Sequence, residues 1–290
     1  MSLNNVRMVI AKVIPFWIRR KIPLRIAQHM YFTGVFDARL FGKKVAKLLH
    51  TGYQIENEIY WRGFDGCLEK KSMQVFARIV QGTHPNVVWD IGANSGTYGI
   101  LTKALQPDCE VVFIEPIPKA VELLRQNLKI NDFKAKVFEI AAGNFDGSGE
   151  IFFEEGQDFA YSVTVNQNNV QNQKQSTVME IQVRRMDSLI KQYDLSQPDL
   201  IKLDVETYEY EVLLGWGGLF PKSAIWLIEI LNDSLALKLK EFFPETEYHF
   251  WNIDDQKSTM RRVDKLGKSD FYNYLIIPKS KSTAVESILE

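Results

Sequence analysis

Three groups of residues in this chain have types and spacings that chemistry can use. The first is Asp90-Ile91-Gly92-Ala93-Asn94-Ser95-Gly96, a glycine-rich turn directly after the apolar run Val87 to Ile91. Glycines there remove Cβ atoms, so the backbone can turn sharply and approach a ligand closely. A helix beginning at such a turn presents unpaired N–H groups that suit a carboxylate or a phosphate. The second is Glu115, which ends the next apolar run 23 residues after Gly92. A carboxylate in that place can accept hydrogen bonds from both ribose hydroxyls of an adenosyl ligand. The third is Lys202, Asp204 and Glu206, which alternate at the end of a later apolar run, Leu200 to Leu203. With a period of two, their side chains project to one side of a strand.

Asp90 discriminates among the ligands of such a turn. A carboxylate ahead of the first glycine would repel a pyrophosphate crossing it. The spacing Gly92-x-x-x-Gly96-x-x-Gly99 is also not the GxGxxG of a dinucleotide fingerprint. Asp90 would instead accept from the ammonium of a methionine moiety, or brace the loop. The reading favours S-adenosylmethionine over NAD. Methyl transfer needs an acceptor oxygen held in line and a base for its proton. Asp204 or Glu206 is the candidate base, and Lys202 would lower the acceptor's pKa. The alternative is a Lys–carboxylate network that only braces the strand end. Two acids without a third ligand do not make a metal site, so no metal is expected.

These groups need strands to hold them. From Val87 onward, apolar runs alternate with helical patterns. Strands are expected at Val87–Ile91, Glu110–Ile114, Ala135–Ile140, Leu200–Leu203 and Ala224–Ile230, and near Thr246–Trp251 and Phe271–Ile277. Helices are expected at Thr97–Leu105, Pro118–Ile130, Tyr208–Leu214 and Ser234–Phe243. Alternation of this kind implies βαβ units and a mainly parallel sheet covered on both faces. Ahead of it, Leu68 to Val80 reads as a helix. Tyr53 to Phe64 is aromatic-rich and reads as a short strand or hairpin. Glu150–Phe153 and the stretch around Ser162–Val165 suggest extra strands, and Asn166 to Gln175 reads as an Asn/Gln-rich loop.

With these elements in place, the chain resembles the FkbM family of S-adenosylmethionine-dependent methyltransferases. The resemblance rests on Asp90 to Gly96, Ile114-Glu115-Pro116, Asn127, Ala141-Ala142, Met186-Asp187-Ser188-Leu189 and Ile201-Lys202-Leu203-Asp204-Val205-Glu206, and it covers roughly residues 55–230. It implies an α/β, Rossmann-like class I methyltransferase fold, with a seven-stranded, mainly parallel sheet whose last strand is antiparallel. It implies O-methylation of a small-molecule, sugar or glycolipid-like acceptor. It also implies cofactor contacts from Asp90, Gly92, Ala93, Asn94, Gly96, Tyr98, Glu115, Pro116, Ala142 and Asp204. One position departs from the family, which has Gly after Asp-Val-Glu where this chain has Thr207. That puts the shape of the acceptor site in question. Alternatives kept open are an adenosyl-binding interaction protein without turnover, and a nucleotide-sugar or NAD-dependent enzyme on the same sheet. Glu229 and Asn232 are further candidates for the acceptor pocket, and His249 is a weaker candidate base.

Composition sets the outer bounds. The chain has 290 residues, 46% hydrophobic and 24% charged, as in ordinary globular proteins. Two cysteines, Cys67 and Cys109, cannot build a disulfide framework or a zinc site and read as buried small hydrophobes. No apolar run reaches the ~20 residues needed to span a bilayer, and the N-terminus lacks a signal-peptide pattern. The expected compartment is the cytoplasm. The charge is uneven: residues 1–50 carry +9 and the remainder −10. No nucleic-acid motif accompanies the basic part. Residues 1–54 read as a basic, helical cap or accessory segment and residues 55–290 as the catalytic domain. Phe16, Trp17 and Tyr31 among the bases also suit peripheral contact with an anionic membrane through residues 1–50.

Overall fold

The computed structural model describes residues 14–27, 29–30, 33–154 and 176–289. The expected strand around Ser162–Val165, the Asn/Gln-rich loop and Tyr31 lie outside these residues.

The alternating runs assemble into one eight-stranded sheet whose strands lie in the order Thr259–Val263, Tyr248–Asp254, Asn273–Pro278, Ile225–Glu229, Leu200–Leu203, Val87–Ile91, Glu110–Ile114 and Lys136–Phe138. Its parallel half comprises β3 (Val87–Ile91), β4 (Glu110–Ile114), β5 (Lys136–Phe138), β9 (Leu200–Leu203) and β10 (Ile225–Glu229). β13 (Asn273–Pro278) inserts antiparallel between β10 and β11 (Tyr248–Asp254). These seven strands correspond to the expected sheet with its antiparallel last strand. The eighth, β12 (Thr259–Val263), pairs antiparallel with β11 at the outer edge. It is mostly exposed and carries Arg261 and Arg262, so it has no apolar run to announce it.

β3 explains why the centre of the sheet reads as a continuous apolar run. All five residues are buried, because helices cover both faces. Val88 packs on one side with Phe113, Ile100 and Val80. Val87, Trp89 and Ile91 pack on the other with Trp216 and Trp226. The Trp89 and Trp216 rings lie 5.0 Å apart, and Trp216 meets Trp226 edge-on at 6.3 Å. Full burial of side chains of this size is worth about 1.5–3 kcal/mol each. A small second sheet, in the order β6-β8-β7, joins β6 (Ala141–Ala142), β7 (Gly147–Glu154) and β8 (Ser176–Arg184) beside the main one.

Two expectations fail ahead of the sheet. Residues 34–50 are not helical. They form an antiparallel hairpin, β1 (Gly34–Leu40) and β2 (Lys43–His50), with Phe36, Ala38, Leu40, Ala46, Leu48 and His50 turned inward at a period of two. Phe41 (φ 49) and Gly42 (φ 80) make its two-residue turn. Positive φ at both positions matches the twist of the flanking strands. Short helices do occur earlier, at Phe16–Arg19 and Leu24–Ala27. Conversely, Gln54–Arg62 is a helix rather than a strand. Its buried polar residues gave it an alternating look, and two of them have structural tasks. Asn57 bonds His50, Trp61 and the Ala27 carbonyl, while Glu58 accepts from Gln54 and from Leu68 N–H.

The hairpin is fastened to the main domain through the Pro118–Ile130 helix. Asn127 Oδ1 accepts from Leu49 N–H at 2.8 Å, and Asn131 bonds both the N–H and the carbonyl of Lys47 at 2.7 Å. The same Asn127 donates to the Ser95 carbonyl at 3.3 Å. One fully buried amide therefore joins the hairpin to the glycine-rich turn. A C-terminal helix, Lys279–Leu289, which the sequence pattern did not suggest, packs on Lys70–Thr83.

Candidate functional site

In β3 and β9, Asp90 and Lys202 stand directly opposite each other. The chain leaves β3 for β4 on one side, while β9 flanks β3 on the other, so the carboxyl ends of β3 and β9 mark the point where strand order reverses. Open α/β sheets bind ligands in the crevice there. A cavity of about 310 Å³ occupies that position.

The glycine-rich turn forms one wall. Gly92 has φ +76, and a Cβ on it would lie 1.7 Å from the Asp204 carbonyl oxygen. Glycine is required there because the β3 and β9 loops touch. Asn94 also adopts a left-handed conformation, φ 50. Glu115 braces the loop from the end of β4: its Oε2 accepts from Asn94 N–H at 2.8 Å and its Oε1 from Ile117 N–H at 3.0 Å. Asp90 Oδ2 accepts from Gly99 N–H at 2.9 Å and so holds the first turn of the Thr97–Leu105 helix. Burial raises the carboxyls of Asp90 and Glu115 to about 7 each, against the opposing pull of those N–H donors.

The charged cluster adjoins this turn at the carboxyl end of β9. Lys202 is 2% exposed. Its Nζ donates to Asp204 Oδ2 at 2.9 Å and lies 5.3 Å from the centre of the Tyr98 ring. Burial pulls its pKa down, but Asp204, Glu69 and Glu229 together outweigh burial and hold it above the ordinary lysine value. Lys202 is thus a fixed cation. Burial, reinforced by Asp204, raises Glu206 to about 7. Burial and the same neighbours push Glu229 far above the usual carboxylate range.

Backbone strain is concentrated in the loop after β9. Glu206 (φ 55) and Thr207 (φ 74) are consecutive left-handed residues, and Thr207 is β-branched. Glu209 holds this geometry: its Oε1 accepts from Val205 N–H at 3.1 Å and Thr207 N–H at 3.3 Å. Burial raises Glu209 to about 8.

Asp90, Gly92, Ala93, Asn94, Tyr98, Glu115, Pro116, Ala142, Lys202, Asp204 and Glu206 all line this one cavity. Gly96 does not. Its φ is +83 and a Cβ there would press on Leu124, so it serves the turn and the packing behind it. Glu229 acts on the cluster from β10 without lining the cavity, and Asn232 caps a helix by accepting from Leu235 N–H. His249 is elsewhere, hydrogen-bonded to Ser282. Among the described residues no group of acids, histidines and cysteines is arranged to hold a metal.

Pattern reading missed the wall contributed by residues 54–69. Gln54, Glu58 and Glu69 line the cavity. Glu69 accepts from the Tyr98 hydroxyl at 3.0 Å and from Asn273 Nδ2 at 2.9 Å. Its carboxyl is raised by burial, against the pull of Lys202. Nothing local marks Glu69, because its partners are 29 and 204 residues away.

The Methyltransferase FkbM domain matches residues 90–266, more than half of the 290-residue chain. Hexuronic acid methyltransferase AglP of Haloferax volcanii is 28% identical over 147 residues, covering 50% of this chain and 56% of that protein. The 2-O-methyltransferase NoeI of Sinorhizobium fredii is 25% identical over 206 residues, covering 66% of this chain and 84% of that protein. A third relative, methyltransferase sdnD of Sordaria araneosa, is 24% identical, and the match covers 46% of this chain and 61% of its own length. The chain thus spans little more than half the length of the first two curated relatives, AglP and sdnD. Among solved structures, precorrin-6y C5,15-methyltransferase of Geobacter metallireducens aligns at a TM-score of 0.40 and 15% identity over 72% of this chain and 87% of that one. By its domain match, the chain belongs to the FkbM methyltransferase family.

Proposed function

We propose that this protein is an S-adenosylmethionine-dependent O-methyltransferase acting on a sugar or other polyol. One observation carries the reading. A single cavity at the reversal point of the sheet is lined both by the Gly92 turn with Glu115 and by Lys202, Asp204 and Glu206. The residues fit an adenosyl cofactor. Glu115 stands at the strand end with a carboxylate able to accept from vicinal hydroxyls. Pro116, Ile117, Ala142 and Ile151 offer an apolar slot for a base. Asp90 presents an acid where an ammonium, not a pyrophosphate, would be welcome, which counts against a NAD-type reading.

When bound, S-adenosylmethionine supplies an electrophilic methyl group. The remaining chemistry belongs to the chain. Glu206 accepts the acceptor hydroxyl's proton; with its carboxyl near 7 it is poised for that at neutral pH. Asp204 is tied to Lys202, and the pair orients the site and fixes its charge. The hexuronic acid in AglP's name supports a sugar as the acceptor, and the 2-O-methyltransferase in NoeI's name supports transfer to oxygen; the charge of AglP's sugar is not carried over to this chain. S-adenosylhomocysteine should bind with micromolar affinity or better, about 8 kcal/mol. Glu115→Gln should weaken it by about 1.5–3 kcal/mol. Unchanged calorimetric affinity in that variant sinks the ribose assignment.

We also propose that residues 1–50, within the accessory segment 1–54, touch an anionic membrane. Trp17, Ile18, Ile26, Val35 and Phe41 are exposed apolar side chains of this segment, set among its bases.

A further inference from the structure

We propose that the acceptor carries no negative charge: the cavity takes a neutral or amine-bearing polyol and rejects uronates and sugar phosphates. This rests on the methyltransferase reading above and narrows it.

The charges facing the cavity carry the inference. Glu58, Glu69, Asp204 and Glu206 line the cavity together with Asp90 and Glu115, and Glu229 acts on the cluster from β10. The one basic side chain among the described lining residues is Lys202. Its charge is already committed: it is buried, 2.9 Å from Asp204 and set over the Tyr98 ring. No arginine or histidine among the described lining residues offers the forked or paired donors that a carboxylate or phosphate requires. An anionic acceptor would have to displace Asp204 from Lys202 or sit unpaired among carboxylates, and a buried unpaired charge is strongly disfavoured. A hydroxyl suits the same walls, because carboxylate oxygens accept its proton while the Gln54 amide can donate. An ammonium suits them better still.

Burial raises the carboxyls of Glu58, Glu69 and Glu206 above their ordinary values, that of Glu206 to about 7. Any anion that did enter would take up further protons with it and bind better as pH falls. Gln54, Glu58 and Glu69 all precede the matched domain at residues 90–266. The charge preference therefore belongs to this chain's own lead-in segment as well as to the shared fold.

The test is calorimetric titration of the S-adenosylhomocysteine-loaded protein with three matched probes: methyl glucoside, methyl glucosaminide and methyl glucuronide. The expected result is that the first two bind and the glucuronide binds at least about tenfold more weakly, ~1.4 kcal/mol. That gap should narrow in mildly acidic buffer. It should narrow also in Glu69→Gln, and in Glu58→Gln should the first variant fold poorly. The proposal is overturned if the glucuronide binds as tightly as the glucoside, if acidification widens the gap, or if none of the three binds. Failure of S-adenosylhomocysteine itself to bind is a different result and sinks the methyltransferase reading instead.

Discussion

Asp204 and Glu206 are two residues apart at one strand end, yet their neighbours give them different chemistry. Asp204 is engaged by the Lys202 ammonium, whereas Glu206 is held near 7 by burial and by the negative charge of Asp204. A carboxyl near 7 is a far stronger base than an ordinary glutamate and is still half ionised at neutral pH. Glu206→Gln should therefore lower kcat about 10²–10⁴-fold while leaving S-adenosylhomocysteine affinity within about twofold. In the unaltered protein, the rate of the proposed methyl transfer should rise with pH through about 7 as Glu206 gives up its proton. A variant that keeps near-full activity, or a rate flat across that range, removes Glu206 from the mechanism. The residues of the glycine-rich turn and Glu115 were legible in the sequence because they are local: short runs of fixed spacing at strand ends. Glu69 and Glu58 were not, because only the folded chain brings them to Tyr98 and Leu68.

At the scale of elements, the same distinction recurs. β3 and β4 were readable to the residue because burial on both faces leaves a run that is apolar except for Asp90 and Glu110. The hairpin was not, although Phe36, Ala38 and Leu40 alternate as a strand should. Its turn begins with Phe41, not with the Asn or Asp usual at the first left-handed position, so Gly42 alone signals the break between its two strands. The loop after β9 shows the cost of a comparable choice. Thr207 holds φ 74 where the family pattern has glycine, and a non-glycine residue in such a conformation costs about 1–3 kcal/mol. Thr207→Gly should stabilise the fold by about 1 kcal/mol, roughly 2–4 °C in Tm. An unchanged or lower Tm by scanning calorimetry means that contacts of the threonine side chain offset the strain.

For the whole molecule, buried acids set the pH response. Burial raises Asp90, Glu56 and Glu115 to about 7 and Glu209 to about 8. Between their ordinary values of 3.8 or 4.5 and these, the folded chain keeps protons that the unfolded chain has released. Stability therefore falls as pH rises through that window. His50 acts oppositely: lowered to about 4 by burial, it contributes stability above 6.5 that is lost as pH falls toward 4. The clean range is thus from about pH 6.5 to about pH 8, where Tm should decline steadily; a Tm constant or rising over it contradicts the burial of these carboxyls. The basic segment allows a second test at this scale. Full-length protein should sediment with anionic vesicles at low salt and be released as the Debye length shortens from ~10 Å at 0.1 M to ~3 Å at 1 M. Indifference to such vesicles at low salt removes the membrane proposal. Finally, the sheet closes its two open sides differently. At one end β5 is only three residues long, with Lys136 paired to Glu110. At the other, β12 presents Arg261 and Arg262, the latter laid over Trp251 and reaching Glu286. A stranger's strand arriving at either margin meets too little backbone or too much like charge to add itself, so the margins of the sheet guard the protein against self-association through strand addition in a crowded solution.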